Sequence, residues 1–232
     1  MKPIIGIIGR SDLSEKNKST ICVFDNYRKA VLHYGGIPIA ILPPQTIDYH
    51  ELMPKDSGSL TLEEKQIIEA QLELCDGIIM PGGSRRYEYD IYICDYCNKK
   101  QIPLLGIRMG MQVMCSYNNQ NKNIKIEDNS HHSEEEYKHL VTIDKTSKLF
   151  DILKETEILV NSFHNYHVEN SGSYKAVGYC KDIIESVEKK EDLFNIGVQW
   201  HPEKVYQKDL NSQKLFTEFI KCARTFQLNK KV

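Results

Sequence analysis

The chain has no apolar run approaching the roughly 20 residues that a helix needs to cross a bilayer, so a helical membrane protein is not expected. It has no surplus of either charge: 30 Lys and Arg against 32 Asp and Glu give a formal net charge of -2. An overall positive field able to hold a phosphate backbone is missing, and nucleic acid is not an expected partner. No secretory leader is expected either, because the apolar stretch Ile4 to Ile8 is too short and passes directly into polar sequence. The seven cysteines (Cys22, Cys75, Cys94, Cys97, Cys115, Cys180 and Cys222) are odd in number and follow no disulfide-scaffold rhythm. A reducing, cytoplasmic setting is the simplest expectation. Internal repeats, linkers and low-complexity segments are lacking, so residues 1–232 read as a single domain, and 232 residues at 41% hydrophobic and 27% charged suffice for one sizeable core.

What is present is an alternation of strands and helices. Ile4, Ile5, Ile7 and Ile8 form an apolar run broken by Gly6 and stopped by Gly9, the pattern of a central strand covered on both faces. Phe24 to Tyr34 carries helical spacing at Tyr27, Ala30, Val31 and Tyr34; Gly35-Gly36 ends it, and Ile37 to Leu42 is a second strand closed by Pro43-Pro44. Ile47 to Ser59 is a polar, turn-rich excursion. Thr61-Leu62-Glu63-Glu64 supplies a capping box for a helix ending near Leu74, and Gly77 to Met80 is a third strand. A helix over Asp90 to Lys99 leads to a fourth strand, Pro103 to Ile107. Beyond Tyr117, a polar loop through His131-His132 gives way to short strands at His139 to Ile143, Ile158 to Val160, Tyr174 to Cys180, Ile183 to Glu188 and Asn195 to Gln199. The closing helix, Asn211 to Thr225, aligns Leu215, Phe216, Phe219, Ile220 and Ala223 on one stripe. Together these predict an α/β fold: a flavodoxin-like, doubly wound, mainly parallel central sheet flanked by helices, with a small antiparallel extension. Ligands of such sheets sit outside the carboxyl ends of the strands.

Two segments at such ends carry chemistry. Pro103-Leu104-Leu105-Gly106-Ile107-Arg108-Met109-Gly110-Met111-Gln112 is a buried strand, a tight turn and a helix, the shape of a nucleophile elbow in which Gly106 and Gly110 permit close packing. Position 108, where the nucleophile belongs, is an arginine. Gly197-Val198-Gln199-Trp200-His201-Pro202-Glu203 is a strand ending in a histidine with a carboxylate two residues on, the base and orienter that such an elbow serves. Gly83, in the turn Pro81-Gly82-Gly83, and Met109 are placed to offer backbone N–H groups to a developing oxyanion.

Taken with Tyr34-Gly35-Gly36-Ile37-Pro38, Asp76-Gly77-Ile78-Ile79-Met80-Pro81-Gly82-Gly83 and Asn161-Ser162-Phe163-His164, these segments resemble the class I glutamine amidotransferase fold. More narrowly they are similar to its stand-alone branch, the peptidase C26 or γ-glutamyl-γ-aminobutyrate hydrolase-like proteins. The resemblance covers Ile4 to Phe219. It implies attack of a cysteine on a γ-glutamyl amide to give a thioester. It places the nucleophile position at Arg108, the base at His201, its orienting acid at Glu203 and the oxyanion hole at Gly83 with Met109. Gly82, Gln112, Ser162, Phe163 and His164 resemble positions that line the glutamyl pocket. The expected partner is a small γ-glutamyl compound or glutamine, with a homodimer or a separate synthetase as further partners; no cofactor and no metal are implied. Two segments depart from the hydrolase pattern: Met109 stands where Arg is common, and Asn165-Tyr166-His167 replaces the His-Gln pair.

Arginine cannot replace the thiol, since its guanidinium stays protonated and offers donors without a lone pair. Its side chain is expected to lean toward Glu203 or His201 and, as a nearby cation, to lower the imidazole pKa. Three readings follow: a γ-glutamyl amide hydrolase-type chain inactive as written, a binding protein that uses Arg108 as an anion clamp, and a glutaminase subunit of an amidotransferase. Cys115, seven residues beyond Arg108 on a helix and so roughly 10 Å along its axis, cannot take over the reaction. Ser84 lacks a base of its own. Cys94-x-x-Cys97 reads as two small side chains on one helix face in preference to half a zinc site. His131-His132 reads as a solvated loop in preference to a metal site. Arg85-Arg86 reads equally as an exposed basic turn or as the receiver of an acidic leaving group.

Overall fold

In the computed structural model, which describes residues 1–117, 123–125, 132–189, 191 and 194–230, the first apolar run becomes strand β1 (Ile4–Ile8). It continues past Gly9 into a hairpin of β2 (Arg10–Leu13) and β3 (Ser19–Cys22). There follow α1 (Asp25–His33), β4 (Ile37–Ile41), α2 (Leu62–Glu73), β5 (Gly77–Met80), α3 (Glu88–Lys100), β6 (Leu104–Ile107) and α4 (Met109–Ser116). The second half holds β7 (Asn123–Lys125), β8 (His132–Ile143), α5 (Lys148–Leu153), β9 (Glu157–Phe163), β10 (Tyr166–Val168), β11 (Lys175–Cys180), β12 (Ile183–Glu188), β13 (Asn195–Val198), α6 (Pro202–Val205) and α7 (Leu210–Asn229).

One nine-stranded sheet runs in the order β4-β1-β5-β6-β13-β12-β11-β8-β9. Its first five strands pair in parallel and the remaining pairings are antiparallel. Counted in chain order, the parallel strands stand 2-1-3-4-5, the flavodoxin-like arrangement. The apolar runs behind them are buried because helices cover both faces. On one face α1 and α7 pack Tyr27, Val31, Phe216 and Phe219 against Ile5, Ile7 and Ile79. On the other α2, α3 and α4 pack Ile68, Leu72, Ile93 and Met111 against Ile8, Ile78 and Leu104. The expected stripe of α7 is buried in full, and Thr61 and Glu64 form the expected capping box of α2. Among the described residues no helix is long and apolar enough to cross a membrane.

Three features differ from expectation. The segment after Gly9 is a hairpin, with β2 and β3 forming a two-stranded sheet of their own among the described residues; its polar strands carry no core-facing alternation to announce them. The antiparallel extension starts earlier than His139, because β8 begins at His132, opposite Phe163 of β9. This replaces the solvated loop at His132 by strand; His131 and the side chain of His132 lie outside the described residues. Finally, α5 is only six residues long, too short for a periodic signal, and rests on Ser147, whose hydroxyl accepts from the Phe150 N–H at 2.9 Å.

Candidate functional site

Four parallel strands deliver four chain segments to one end of the sheet. The register pairs Met80 with Gly106 and Gly106 with Gly197, so the residues just beyond β5, β6 and β13 emerge side by side. These are the Gly82-Gly83 turn, Arg108 and His201. Arg10 joins them from the end of β1. The close seating of α4 makes the elbow sharp. A Cβ at Gly110 would lie 1.9 Å from the Met80 carbonyl oxygen, and one at Gly106 would lie 2.3 Å from Met114 Sδ. Only glycine fits at either position.

Between that strand and that helix Arg108 adopts φ 53° and ψ -110°, outside the regions an L-residue ordinarily occupies. Its side chain crosses the site. Nε donates to the Phe163 carbonyl and Nη1 to the Gly83 carbonyl, each at 2.9 Å, and the guanidinium carbon sits 6.0 Å from the Phe163 ring centre. The expected lean toward His201 or Glu203 is therefore replaced by a strap between two main-chain oxygens. Burial holds the Arg108 guanidinium below its usual pKa against the opposing pull of Tyr27 and Glu203. Those carbonyls accept the cation while the Nδ1 face of His201 is already taken.

His201 Nδ1 lies 2.6 Å from Glu203 Oε1, and both side chains are buried. The histidine backbone is pinned by Asn161, whose Nδ2 donates to the His201 carbonyl at 2.8 Å while its Oδ1 accepts from the His201 N–H at 3.1 Å. Tyr27 holds the glycine turn, its hydroxyl accepting from the Gly82 N–H at 3.0 Å. Burial first, and then the Glu203 charge, push that phenol well above its ordinary pKa. Arg10 reaches under the turn, donating to the Pro81 carbonyl at 3.0 Å and pairing with the buried Asp90. The alkyl end of Arg10 and Met109 Cε crowd the Gly83 α-carbon, where an added Cβ would stand 2.9 Å from the methionine.

A cavity of about 790 Å³ opens here, within the size range of small-molecule sites. Of the sequence-derived residues, Gly82, Gly83, Arg108, Met109, Gln112, Phe163, His164, His201 and Glu203 line it. Ser162 does not; it is buried behind the wall. Gln112 Nε2 donates to the Tyr166 carbonyl at 3.3 Å and to Gln199 Oε1 at 3.2 Å, joining α4 to the segment after β9. The His164 imidazole turns inward, Nδ1 lying 3.1 Å from the Tyr166 carbonyl oxygen. Arg85 and Arg86 line the rim, where Arg86 Nη1 donates to Ser116 Oγ at 2.6 Å. Cys115 is buried, and its thiol is pushed up to about 12; burial also raises Cys94 to about 12 and Cys97 further. Ser84 is exposed at the cavity edge. Sequence reasoning missed Arg10, Tyr27, Asn161 and Lys204. The position of Arg10 directly after a central strand was the available signal; the others depend on tertiary packing.

This geometry has counterparts. The family model described as Peptidase C26 matches residues 84–203. A CTP synthase from Chlamydia caviae is 27% identical over 215 residues, covering 78% of this chain and 39% of that protein. The chain thus spans about two fifths of that relative's length. Among solved structures, the glutaminase domain of Trypanosoma brucei CTPS with bound acivicin aligns at TM-score 0.63 and 17% identity, over 96% of this chain and 94% of that one. A glutamine amidotransferase from Thermotoga maritima aligns at TM-score 0.55 and 14% identity, over 100% and 94%.

Proposed function

The chain belongs to the peptidase C26 family, and from that premise we propose that it is a γ-glutamyl amide hydrolase-type protein that takes a γ-glutamyl compound or glutamine into the cavity and, as written, does not cleave it. One observation carries this reading: the His201–Glu203 pair, 2.6 Å apart and facing the cavity, serves an elbow whose residue has no lone pair to attack with. Thioester formation needs a thiolate at position 108, and a guanidinium cannot supply one. In this reading Gly83 and Met109 are the oxyanion donors, His201 the base and Glu203 its orienter. Gly82, Gln112, Phe163 and His164 bound the glutamyl side, with Ser162 buried behind them, and residues 1–232 act as a single domain. Arg10, Arg85, Arg86, Arg108 and Lys204 outnumber Asp12 and Glu203 around the cavity, which suits a ligand with carboxylates. Arg108 spends two of its five N–H donors on carbonyls and keeps the rest for such a ligand.

The test is hydrolysis of a γ-glutamyl anilide. The chain as written gives no turnover above background and Arg108→Cys gives turnover; activity of the arginine form refutes the assignment. Glutamate binding measured by calorimetry then separates clamp from obstruction: weaker binding by Arg108→Ala marks a clamp, and tighter binding marks an obstruction. The similarity to two fifths of a CTP synthase supports a second reading, a glutaminase subunit beside a separate synthetase. Under it, Arg108→Cys releases ammonia from glutamine only when a synthetase partner is added.

A further inference from the structure

Beside the Phe163 wall of the cavity, away from the His201–Glu203 pair, side chains from β8, from β12 and from His164 just after β9 meet; His164 also lines the cavity. His164 Nε2 lies 3.3 Å from Glu185 Oε1, and His139 Nε2 lies 3.5 Å from Glu185 Oε2. One donor atom from each of the three falls within 4.8 Å of the others. Glu185 and His164 are buried, and the His139 side chain is 8% exposed.

The backbone is bent to bring them together. Along β11 and β12 the pairing passes from Tyr179–Ile184 to Gly178–Ser186, so Glu185 is an extra residue, a β-bulge. Along β8 and β9 it passes from Tyr137–Asn161 to His139–Val160, so a second extra residue immediately precedes His139. His164 directly follows the last residue of β9. Bulges re-aim side chains at the expense of ladder pairing, and here two of them serve one point.

The tautomer of His164 adds a second constraint. Its Nδ1 is 3.1 Å from the Tyr166 carbonyl oxygen, which can only accept, so Nδ1 carries the proton. In the neutral ring Nε2 then aims a lone pair at a carboxylate oxygen. A cation between them resolves that conflict, and a carbonyl behind a histidine is the usual outer support of a metal ligand. Ligands at about 2.0–2.1 Å from a tetrahedral zinc stand about 3.3 Å apart; each histidine stands 3.3 or 3.5 Å from a Glu185 oxygen, and one donor atom from each residue lies within 4.8 Å of the other two. We propose that His139, His164 and Glu185 bind one divalent metal ion of the zinc class, with water in the fourth position, and that the ion fixes the Phe163–Tyr166 wall. Phe163 supplies the carbonyl that accepts Arg108 Nε, so the ion sets one end of the strap across the cavity. The site stands whether or not the cavity takes a γ-glutamyl compound.

The test uses the full chain, without a histidine tag, stripped with a chelator and titrated with Co²⁺. One equivalent binds with the intense visible absorption of four-coordinate cobalt, and Zn²⁺ displaces it. Glu185→Gln and, separately, the more accessible His139→Asn weaken cobalt binding at least about 100-fold, while His167→Gln, in the neighbouring segment, leaves it unchanged. Absence of stoichiometric binding to the unmutated chain overturns the proposal without recourse to any variant. Unchanged affinity in a folded His139→Asn or Glu185→Gln protein, judged by near-ultraviolet circular dichroism, overturns it as well.

Discussion

Gly110→Ala is the sharpest test of how the elbow is built. The added Cβ would stand 1.9 Å from the Met80 carbonyl oxygen, 2.7 Å from its carbonyl carbon and 2.9 Å from its Cβ, where a carbon–oxygen contact settles at about 3.3 Å. The helix must retreat by roughly 1.4 Å, the difference between the two. Every residue of α4 from Met109 to Ser116 is buried, so retreat loosens Met111, Val113 and Met114 together. Overpacking typically costs about 1–3 kcal/mol. Because the obstacle here is backbone, the upper end applies, offset by about 1 kcal/mol from the better helix propensity of alanine. The net loss is about 2 kcal/mol, which lowers Tm by roughly 4–8 °C in a chain of this size. Urea and thermal unfolding measure it, with Gly58→Ala as the comparison, since φ there is +69° and nothing lies within 4 Å. That control carries only backbone strain, about 1–2 kcal/mol. In an Arg108→Cys background, Gly110→Ala also abolishes turnover while Gly58→Ala preserves it. A Gly110→Ala protein as stable as the parent would refute the close approach of α4 to β5, and with it the placement of Gly83 beside Met109.

Asn161→Ala removes both hydrogen bonds that pin the His201 backbone and leaves a buried donor and acceptor unmet, a loss of about 2–4 kcal/mol; an unchanged urea midpoint would contradict the clamp. Burial pushes the Cys75, Cys94 and Cys115 thiols up to about 12, against about 8.5 in an unfolded chain. The folded state keeps these protons while the unfolded state sheds them. The stability involved is fully present below pH about 8.5 and falls as pH rises toward 12, by about 1.4 kcal/mol per pH unit per thiol. Urea midpoints between pH 8 and 10 therefore decline more steeply in the parent than in the Cys75→Ala/Cys94→Ala/Cys115→Ala variant, and parallel declines would count against these shifts.

Where a side chain's role follows from chain-local pattern, the sequence displays it. The continuous apolar runs of β1, β5 and β6, the Thr61–Glu64 box and the stripe of α7 are local and were legible. So was the elbow, because Gly106 and Gly110 bracket position 108 within one strand–helix turn, and the His201–Glu203 pair, whose members lie two residues apart. What stayed hidden is made by distant pairing. Asn161 looks like any strand residue until β9 brings its amide against His201. Arg10 acquires its place only when Asp90 pairs with it from α3. The meeting of His139, His164 and Glu185 depends on two bulges, and a bulge is a mismatch between strands that neither strand shows alone. Arg108 departs from the direction its charge suggests for a related reason. Sequence names the charged groups near an arginine but not the main-chain oxygens, and here two carbonyls hold the guanidinium.

Arg108 also shows which part of the site the scaffold imposes. Its φ of 53° with ψ of -110° costs an L-residue about 1–3 kcal/mol. An arginine gains nothing chemical from that conformation, since its charged end lies several bonds away. The strain follows from the neighbours: β6 is held in register between β5 and β13, α4 is seated against Met80, and the single residue between them must turn in the space left. The elbow is therefore a property of Gly106, Gly110 and the sheet, and it persists whatever stands at 108. Two hydrogen bonds to Gly83 and Phe163 carbonyls, each contributing about 1.5–3 kcal/mol as contacts to a charged group, offset the strain for arginine. Cysteine forgoes them, but it needs no room beyond what arginine occupies, and the freed carbonyls face a cavity that water can fill. Arg108→Cys should thus find a nucleophile site already formed, so failure to react would point to the chemistry of the pocket and not to a collapsed elbow.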